Sequence, residues 1–279
     1  MTYSIITVNL NNALGLKDTI ESVFKQTCHD YEFIVIDGNS TDKSKSIIEQ
    51  YKDKIDYWVS EPDSGIFNAM NKGIKVSKGN YLIFMNSGDS FYDESVLENS
   101  IKYLGADFII GNIMRKEDNS IMNYDLSNIS MRTFYNGAIP HQATFHKRSL
   151  FQDCQYDECL KISSDWKFFF QKIILENASY TLMPIVVSLF DTNGISNRSI
   201  DVANKERTQI IRDYLPARIV MDYELFKDKQ CEMLYLIPQF KYTRTLKRII
   251  TYFTKMVLYL NRNINIKNKW INKSIQSTS

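Results

Sequence analysis

Short apolar runs alternate with helix-patterned segments throughout residues 1–110, and three of the five runs stop directly at an Asn or an Asp. The runs cover residues 4–8, 33–36, 55–59, 81–85 and 106–110. Between them, Leu16, Ile20, Val23 and Phe24 recur at one-face helical spacing. Ile47, Ile48 and Tyr51 do so behind a cap at Thr41 or Asp42, and so do Ile66, Met70 and Ile74. A further helix is expected around Leu97, Ile101 and Leu104. This alternation predicts an α/β fold, an open and mostly parallel Rossmann-like sheet with helices on both faces. Such sheets bind ligands beyond the carboxyl ends of their strands. The polar residues at those ends are Asn9 and Asn11, Asp37, Glu61 and Asp63, and Asn86 to Asp89. Four strand ends carrying polar groups make a site.

Beyond residue 110 the pattern shortens. Residues 160–175 read as a helix around Asp165, residues 185–190 as a strand before an Asn193-Gly194 turn, and residues 200–279 as mainly helical. Composition excludes several classes. The four cysteines are dispersed without a Cys-x-x-Cys pair and there are three histidines, against a structural zinc site or a disulfide framework. That usage fits a reducing compartment. The first residues lack a secretory pattern, and no stretch approaches the ~20 apolar residues of a membrane span, so a cytoplasmic chain is expected.

Four segments occur in order at βα-unit spacing: SIITVNLNN, VIDGNSTD, SEPDSGIFNAMNKGI and YLIFMNSGD. Together they resemble the family 2 glycosyltransferases of GT-A fold, especially those of bacterial surface-polysaccharide biosynthesis. The resemblance extends over residues 1–200, through PHQATFHKRSLF and KISSDWKFF. It implies a nucleotide-sugar-binding half at residues 1–110 and an acceptor-binding half of the same domain at 111–205, and the residue pattern adds a helical basic C-terminal extension at 206–279. The implied activity is inverting transfer from a nucleoside diphosphate sugar, a UDP-sugar, to a hydroxyl of a saccharide acceptor. The enzyme would be of hexosyl or N-acetylhexosaminyl type and dependent on Mn²⁺ or Mg²⁺.

The resemblance also distributes roles. Thr7, Asn9, Asp37, Asp63, Asn71, Lys72, Asn86 and Ser87 fall to the nucleotide sugar. Asp37 would accept a hydrogen bond from uracil, which suits an acceptor-only carboxylate; a turn Asp bonding its own backbone is the alternative. In Asn86-Ser87-Gly88-Asp89 the chain departs from the usual Asp-x-Asp, since Asn86 stands where an Asp is common. Asp89 is then the metal ligand, because hard cations take oxygen donors, a carboxylate or two plus phosphate. Met70 stands where the family often has Arg, which leaves Lys72 to approach the diphosphate or to remain a surface lysine. Asn71 and Gly73 match the family, for packing close to the donor. Asp165 would be the general base and Trp166 its aromatic neighbour, raising its pKa or stacking on the acceptor; the alternative is a helix-capping Asp. His141 and Gln142 would touch donor sugar or acceptor, and Asn193-Gly194-Ile195-Ser196 resembles a loop closing over the donor.

A sugar-nucleotide pyrophosphorylase would need a Gly-rich, Arg-bearing loop after the first strand, which residues 9–14 lack. A response-regulator-like module would leave Asp165 and its half unexplained. A catalytically inactive glycosyltransferase-like scaffold or nucleotide-binding module is the remaining alternative. No feature points to nucleic acid. The tail adds an independent argument. From Met233 onward there are nine basic residues and no acidic one; 34 basic residues less these nine leaves 25 against 32 acidic in the first 232, a net of −7. Leu246, Ile249, Ile250, Phe253, Val257 and Leu260 form an apolar stripe beside Lys241, Arg248, Lys255 and Arg262. Residues 241–273 therefore suit an anionic membrane surface, on the inner face of the cell membrane if the acceptor is lipid-linked. Packing on the acidic body or in a homodimer is the other reading.

Overall fold

The computed structural model describes residues 1–122, 126, 128–191 and 199–227, and the helical positions 248–249, 251–253, 255–256 and 259. Two compact units are present, Met1–Leu215 and Pro216–Ser279.

In the first unit the expected alternation is realised as β1 (Tyr3–Asn9), α1 (Ala13–Phe24), β2 (Tyr31–Asp37), α2 (Ser44–Tyr51), β3 (Tyr57–Ser60), α3 (Ile66–Val76) and β4 (Tyr81–Phe84). After these come β5 (Ser90–Phe91), α4 (Val96–Ser100), β6 (Phe108–Arg115), β7 (Ile121–Met122), α5 (Met131–Asn136), β8 (Thr144–Lys147), α6 (Ser164–Phe169), β9 (Tyr180–Phe190) and α7 (Ile200–Tyr214). All seven residues of β1 are buried, as a strand covered on both faces must be. One face of the sheet packs Tyr3, Ile5, Phe33, Val35 and Ile83 with Leu16, Ile20 and Val23 of α1. On α3, a Cβ at Gly73 would lie 2.5 Å from Ile6 Cγ2, so this glycine lets the helix sit directly on β1. Gly73 thus serves sheet packing, whereas the sequence suggested closeness to a donor.

The sheet runs β3-β2-β1-β4-β8-β6-β9-β5, with β7 on β6. Its first four strands are parallel. The fifth expected strand, β6, does not join β4; β8 is wedged between them, antiparallel to both. The sheet is therefore mixed, yet two antiparallel steps leave β6 running with β4, and β9 is parallel to β6. The carboxyl ends of β1, β2, β3, β4, β6 and β9 consequently share one edge.

The helix expected at 160–175 starts at Ser164 and widens into a π-helix at Phe170–Leu175. Phe168, Phe169 and Phe170 are all within 1% of full burial. Three consecutive residues at ~100° spacing cannot share one face, so the helix is apolar all round here and has to be enclosed. Phe168 and Phe169 pack with Phe108 and His146, while Phe170 packs with Phe134 and Tyr214.

The second unit contains the helix Ala217–Lys227. At its described helical positions Ile249, Tyr252, Phe253, Met256 and Tyr259 are exposed. The rest of the expected stripe (Leu246, Ile250, Val257, Leu260) and the cations Lys241, Arg244, Lys247, Arg262, Lys267, Lys269 and Lys273 lie outside the described residues, as does the turn at Asn193-Gly194-Ile195-Ser196. Among the described residues no helix is long and apolar enough to cross a membrane.

Candidate active site

Register brings Asn9, Asp37 and Ser60 into one row across the ends of β1, β2 and β3. Asp37 is fully buried. Its Oδ1 accepts from Asn9 Nδ2 (2.7 Å) and Ser40 Oγ (2.5 Å), and its Oδ2 from Ser40 N (2.9 Å) and Ser60 Oγ (2.5 Å). A carboxylate offers about four lone-pair directions, and all are engaged inside the protein. Burial pushes the Asp37 pKa up, but the hydrogen bonds from Ser40, Ser60 and Asn9 outweigh it and leave the carboxyl below its ordinary value. Asp37 is thus the anionic hub of this rim, combining its own turn bond with cross-strand bonds. The carboxylate also settles the Asn9 amide, which must donate to it, and the buried Asn9 Oδ1 has no partner. Asp63 is half-buried and accepts from Gly65 N, and its carboxylate lies against the Gly38 backbone.

After β4 the turn Asn86–Asp89 is clamped to α1. Thr19 Oγ1 donates to Asp89 O (2.6 Å), Gly88 N donates to Thr19 Oγ1 (3.2 Å), and Asn12 Nδ2 donates to Ser87 O (3.0 Å). Gly88 has φ +106°, which an L side chain resists, and a Cβ there would meet Asn12 Nδ2 and Asp191 Oδ2 at 3.3 Å. Asp89 is 7% exposed and accepts from Asp191 N at 3.0 Å. Its carboxyl is pushed up to about 6, chiefly by burial and further by the Asp191 charge, against the Asp191 N–H bond, His141 and Lys116. Lys116 Nζ donates to Gly88 O at 2.6 Å.

Asp191 and Lys116 were not singled out from the sequence. They follow β9 and β6, whose ends pair Phe190 with Arg115, and Lys116 N donates to Phe190 O (3.1 Å). Asp191 follows a strand as directly as Asp37 ends one, so that signal was available. Nothing in the sequence told that β6 and β9 would end beside β4.

The third group joins the two halves. His141 opens the short turn His141–Ala143 before β8. Its Nδ1 lies 3.0 Å from Asp165 Oδ2, and its Nε2 lies 3.5 Å from Asn86 Nδ2. Burial works against both charges, yet the contact wins: Asp165 sits below its ordinary pKa and His141 above its own. Asp165 Oδ1 accepts from Trp166 N (2.7 Å) in the first turn of α6. The loop before it is fixed by Glu206 of α7, whose carboxylate accepts from the backbone N–H of Lys161, Ile162 and Ser163 (2.6, 3.1 and 2.9 Å). No spacing in the sequence pointed to Glu206.

Several other expected site residues are engaged or buried within the protein. Trp166 is 1% exposed, donates Nε1 to Gly137 O and stacks on Phe170 at 5.5 Å. It is a core residue, and its carboxylate neighbour is lowered rather than raised. Asn71 pairs with the backbone of Tyr156 and with Glu158. Lys72 is held by Glu61 (2.8 Å) and Pro62 O (3.0 Å). Buried Thr7 donates to Met85 O (2.7 Å), and Gln142 is buried in the His141 turn.

Among the described residues no group of three His, Cys, Asp or Glu side chains is placed to hold a metal ion. The local oxygen donors are the neighbouring carboxylates of Asp89 and Asp191, with Asn86 Oδ1 buried and unpartnered. Hard oxygens of this number, completed by phosphate, suit Mg²⁺ or Mn²⁺.

Glycosyl transferase family 2 matches residues 4–170. A PGL/p-HBAD biosynthesis glycosyltransferase of Mycobacterium bovis is 28% identical over 210 residues, covering 71% of this chain and 80% of that protein. An uncharacterized glycosyltransferase of Mycobacterium tuberculosis is 30% identical over 204 residues, covering 70% and 77%. Among solved structures, S. aureus TarS 1–349 in complex with UDP-GlcNAc superposes with a TM-score of 0.64 at 18% identity, over 88% of this chain and 74% of that one. The mannosyltransferase PcManGT from Pyrobaculum calidifontis, in complex with GDP-Man and Mn²⁺, gives 0.62 at 13% identity, over 92% and 80%. At these identities the two structures show the shared fold.

Proposed function

The chain belongs to glycosyl transferase family 2, and from that premise we propose that it transfers a hexosyl or N-acetylhexosaminyl group from a UDP-sugar to a hydroxyl of a saccharide acceptor, with inversion at the anomeric carbon. The observation that carries this reading is the His141 bridge, which sets Asp165 beside the Asn86–Asp89 turn. A carboxylate able to act as a base thereby stands next to the edge where the donor's diphosphate would lie.

In this mechanism Asp165 is ionised at neutral pH, as its lowered pKa requires. It takes the proton of the acceptor hydroxyl while the oxygen forms its bond to the anomeric carbon. The bond from that carbon to the phosphate oxygen breaks on the opposite face, and UDP departs with the electron pair. His141 orients Asp165 through Nδ1. Asp89, with Asp191 and Asn86 Oδ1 beside it, would hold Mn²⁺ or Mg²⁺, which when bound supplies charge neutralisation at the diphosphate. Asp37 serves the uracil pocket by fixing Asn9, Ser40 and Ser60, and Asn9 Oδ1 remains as an acceptor in that row. Asp63 lies over the same turn.

The acceptor proposed is lipid-linked, in cell-surface polysaccharide synthesis, with the enzyme held at the cytoplasmic face by basic residues 241–273. Each such residue is worth about 1 kcal/mol near anionic lipid, so release of the protein from anionic vesicles by salt tests this part. The catalytic reading is tested by a UDP-sugar panel with Mn²⁺, scoring release of UDP. Turnover of at least one donor, suppressed by EDTA, is the expected result. No turnover of any donor, with or without acceptor, makes the chain a non-catalytic scaffold.

A further inference from the structure

The donor proposed above brings a diphosphate to an edge that already carries Asp89 and Asp191 side by side. Like charges brought together in a part-buried site need a cation close by. Lys72, the cation the sequence offered, is held by Glu61 and the carbonyl of Pro62. Met70, one turn of α3 away from Ile66 and Ile74, is buried and apolar. Lys116 is differently placed. It directly follows β6, and its backbone N–H is tied to Phe190 O, so its position is set by the sheet itself. Its half-buried ammonium donates to Gly88 O inside the turn that carries Asp89. An ammonium has three donors, and the bond to Gly88 O engages one.

We propose that Lys116 is a diphosphate-binding residue, anchored on the Gly88 carbonyl and presenting its other N–H donors to phosphate oxygens of the nucleotide. The proposal rests on the donor reading and adds to it a residue from a strand that lies outside the first four βα units. In the bound state the ammonium offsets the charge of the leaving UDP. Without nucleotide it stands near the Asp89 carboxylate.

The test is titration calorimetry of UDP and of uridine in EDTA, with wild-type protein, Lys116→Gln and Lys116→Arg. Glutamine keeps a donor for Gly88 O and removes the charge, which limits damage to the turn. UDP affinity is expected to fall about tenfold or more in Lys116→Gln, the scale of a charge-assisted hydrogen bond, while uridine affinity is unchanged. Lys116→Arg should recover most of the loss. Equal weakening of UDP and uridine, or undiminished UDP affinity in Lys116→Gln, overturns the proposal and leaves Lys116 a partner of the turn only. Should wild-type protein bind uridine but not UDP, the proposal falls alone. Should it bind neither, the donor reading fails first and takes the proposal with it.

Discussion

Asp37 ends β2 and Asp89 lies in the turn after β4, on either side of β1, and both are buried, yet their surroundings push them in opposite directions. Asp37 accepts four hydrogen bonds from Asn9, Ser40 and Ser60 and lies below its ordinary pKa. Asp89 accepts one from Asp191 N, faces the Asp191 charge and is pushed up to about 6. The Asp37 carboxylate is satisfied internally and frames the first rim, leaving Asn9 Oδ1 open. The second holds two neighbouring carboxylates, with His141 and Lys116 only partly offsetting what burial does to Asp89. Burial raises both carboxyls, but it weighs more on Asp89, which also receives fewer donors, and the two differences together set the opposite signs. The second rim is also the one that His141 connects to Asp165.

The largest effect is expected at the far end of that connection. Asp165→Asn keeps the shape and the acceptor oxygen for Trp166 N but removes the proton acceptor. Transfer should fall about 10²–10⁴-fold while UDP affinity stays near wild type. Steady-state kinetics alongside UDP calorimetry separates the two. Near-normal transfer would make Asp165 a helix-terminal residue and place the base elsewhere.

The framing rim is expected to answer in stability. Asp37→Ala leaves Asn9 Nδ2, Ser40 N, Ser40 Oγ and Ser60 Oγ without their acceptor, at a cost of about 3 kcal/mol. Urea unfolding should show that loss at neutral pH. For the sign, a carboxyl lowered on folding contributes stability above its unfolded pKa and loses it as pH falls through the folded one. The gap between wild type and variant should therefore narrow below about pH 4. A variant as stable as wild type would mean that Asp37 is reserved for a ligand and not for the frame.

How much of this was legible follows the same division. The rim of β1 to β4 was readable because each βα unit is local: Asp37 and Asn86 mark strand ends within a few residues of the periodicity that reveals the strand. Long-range pairing was not readable. β8 enters the sheet antiparallel between β4 and β6, and only this places Lys116 and Asp191 beside Asp89. His141 and Asp165 were singled out separately, but their contact depends on the same insertion. Trp166 shows the converse error. Adjacency to Asp165 suggested a ligand contact, whereas successive helical residues point ~100° apart, and Trp166 faces Phe170 and Phe134 in the core. Its neighbour faces His141.

The smallest and most discriminating effect is expected at Asp89. In metal-free, nucleotide-free protein, Asp89→Asn should raise stability at pH 7, because the amide oxygen still accepts from Asp191 N while the buried charge, and with it the repulsion from Asp191, is gone. With a folded pKa of about 6 against 3.8 for the free side chain, the folded state binds the extra proton between those values. Wild-type stability therefore falls as pH rises through that window, and the advantage of the variant should grow across it and be complete above it. A gain of about 3–6 °C in Tm at pH 7, shrinking to nothing near pH 4, follows from a shift of this size in a chain of this length. Adding UDP with Mn²⁺ should reverse the order, since ligand stabilises only the form that binds it. If Asp89→Asn instead melts lower than wild type at pH 7 without ligand, Asp89 is a second framing carboxylate like Asp37, and the contrast between the two rims disappears.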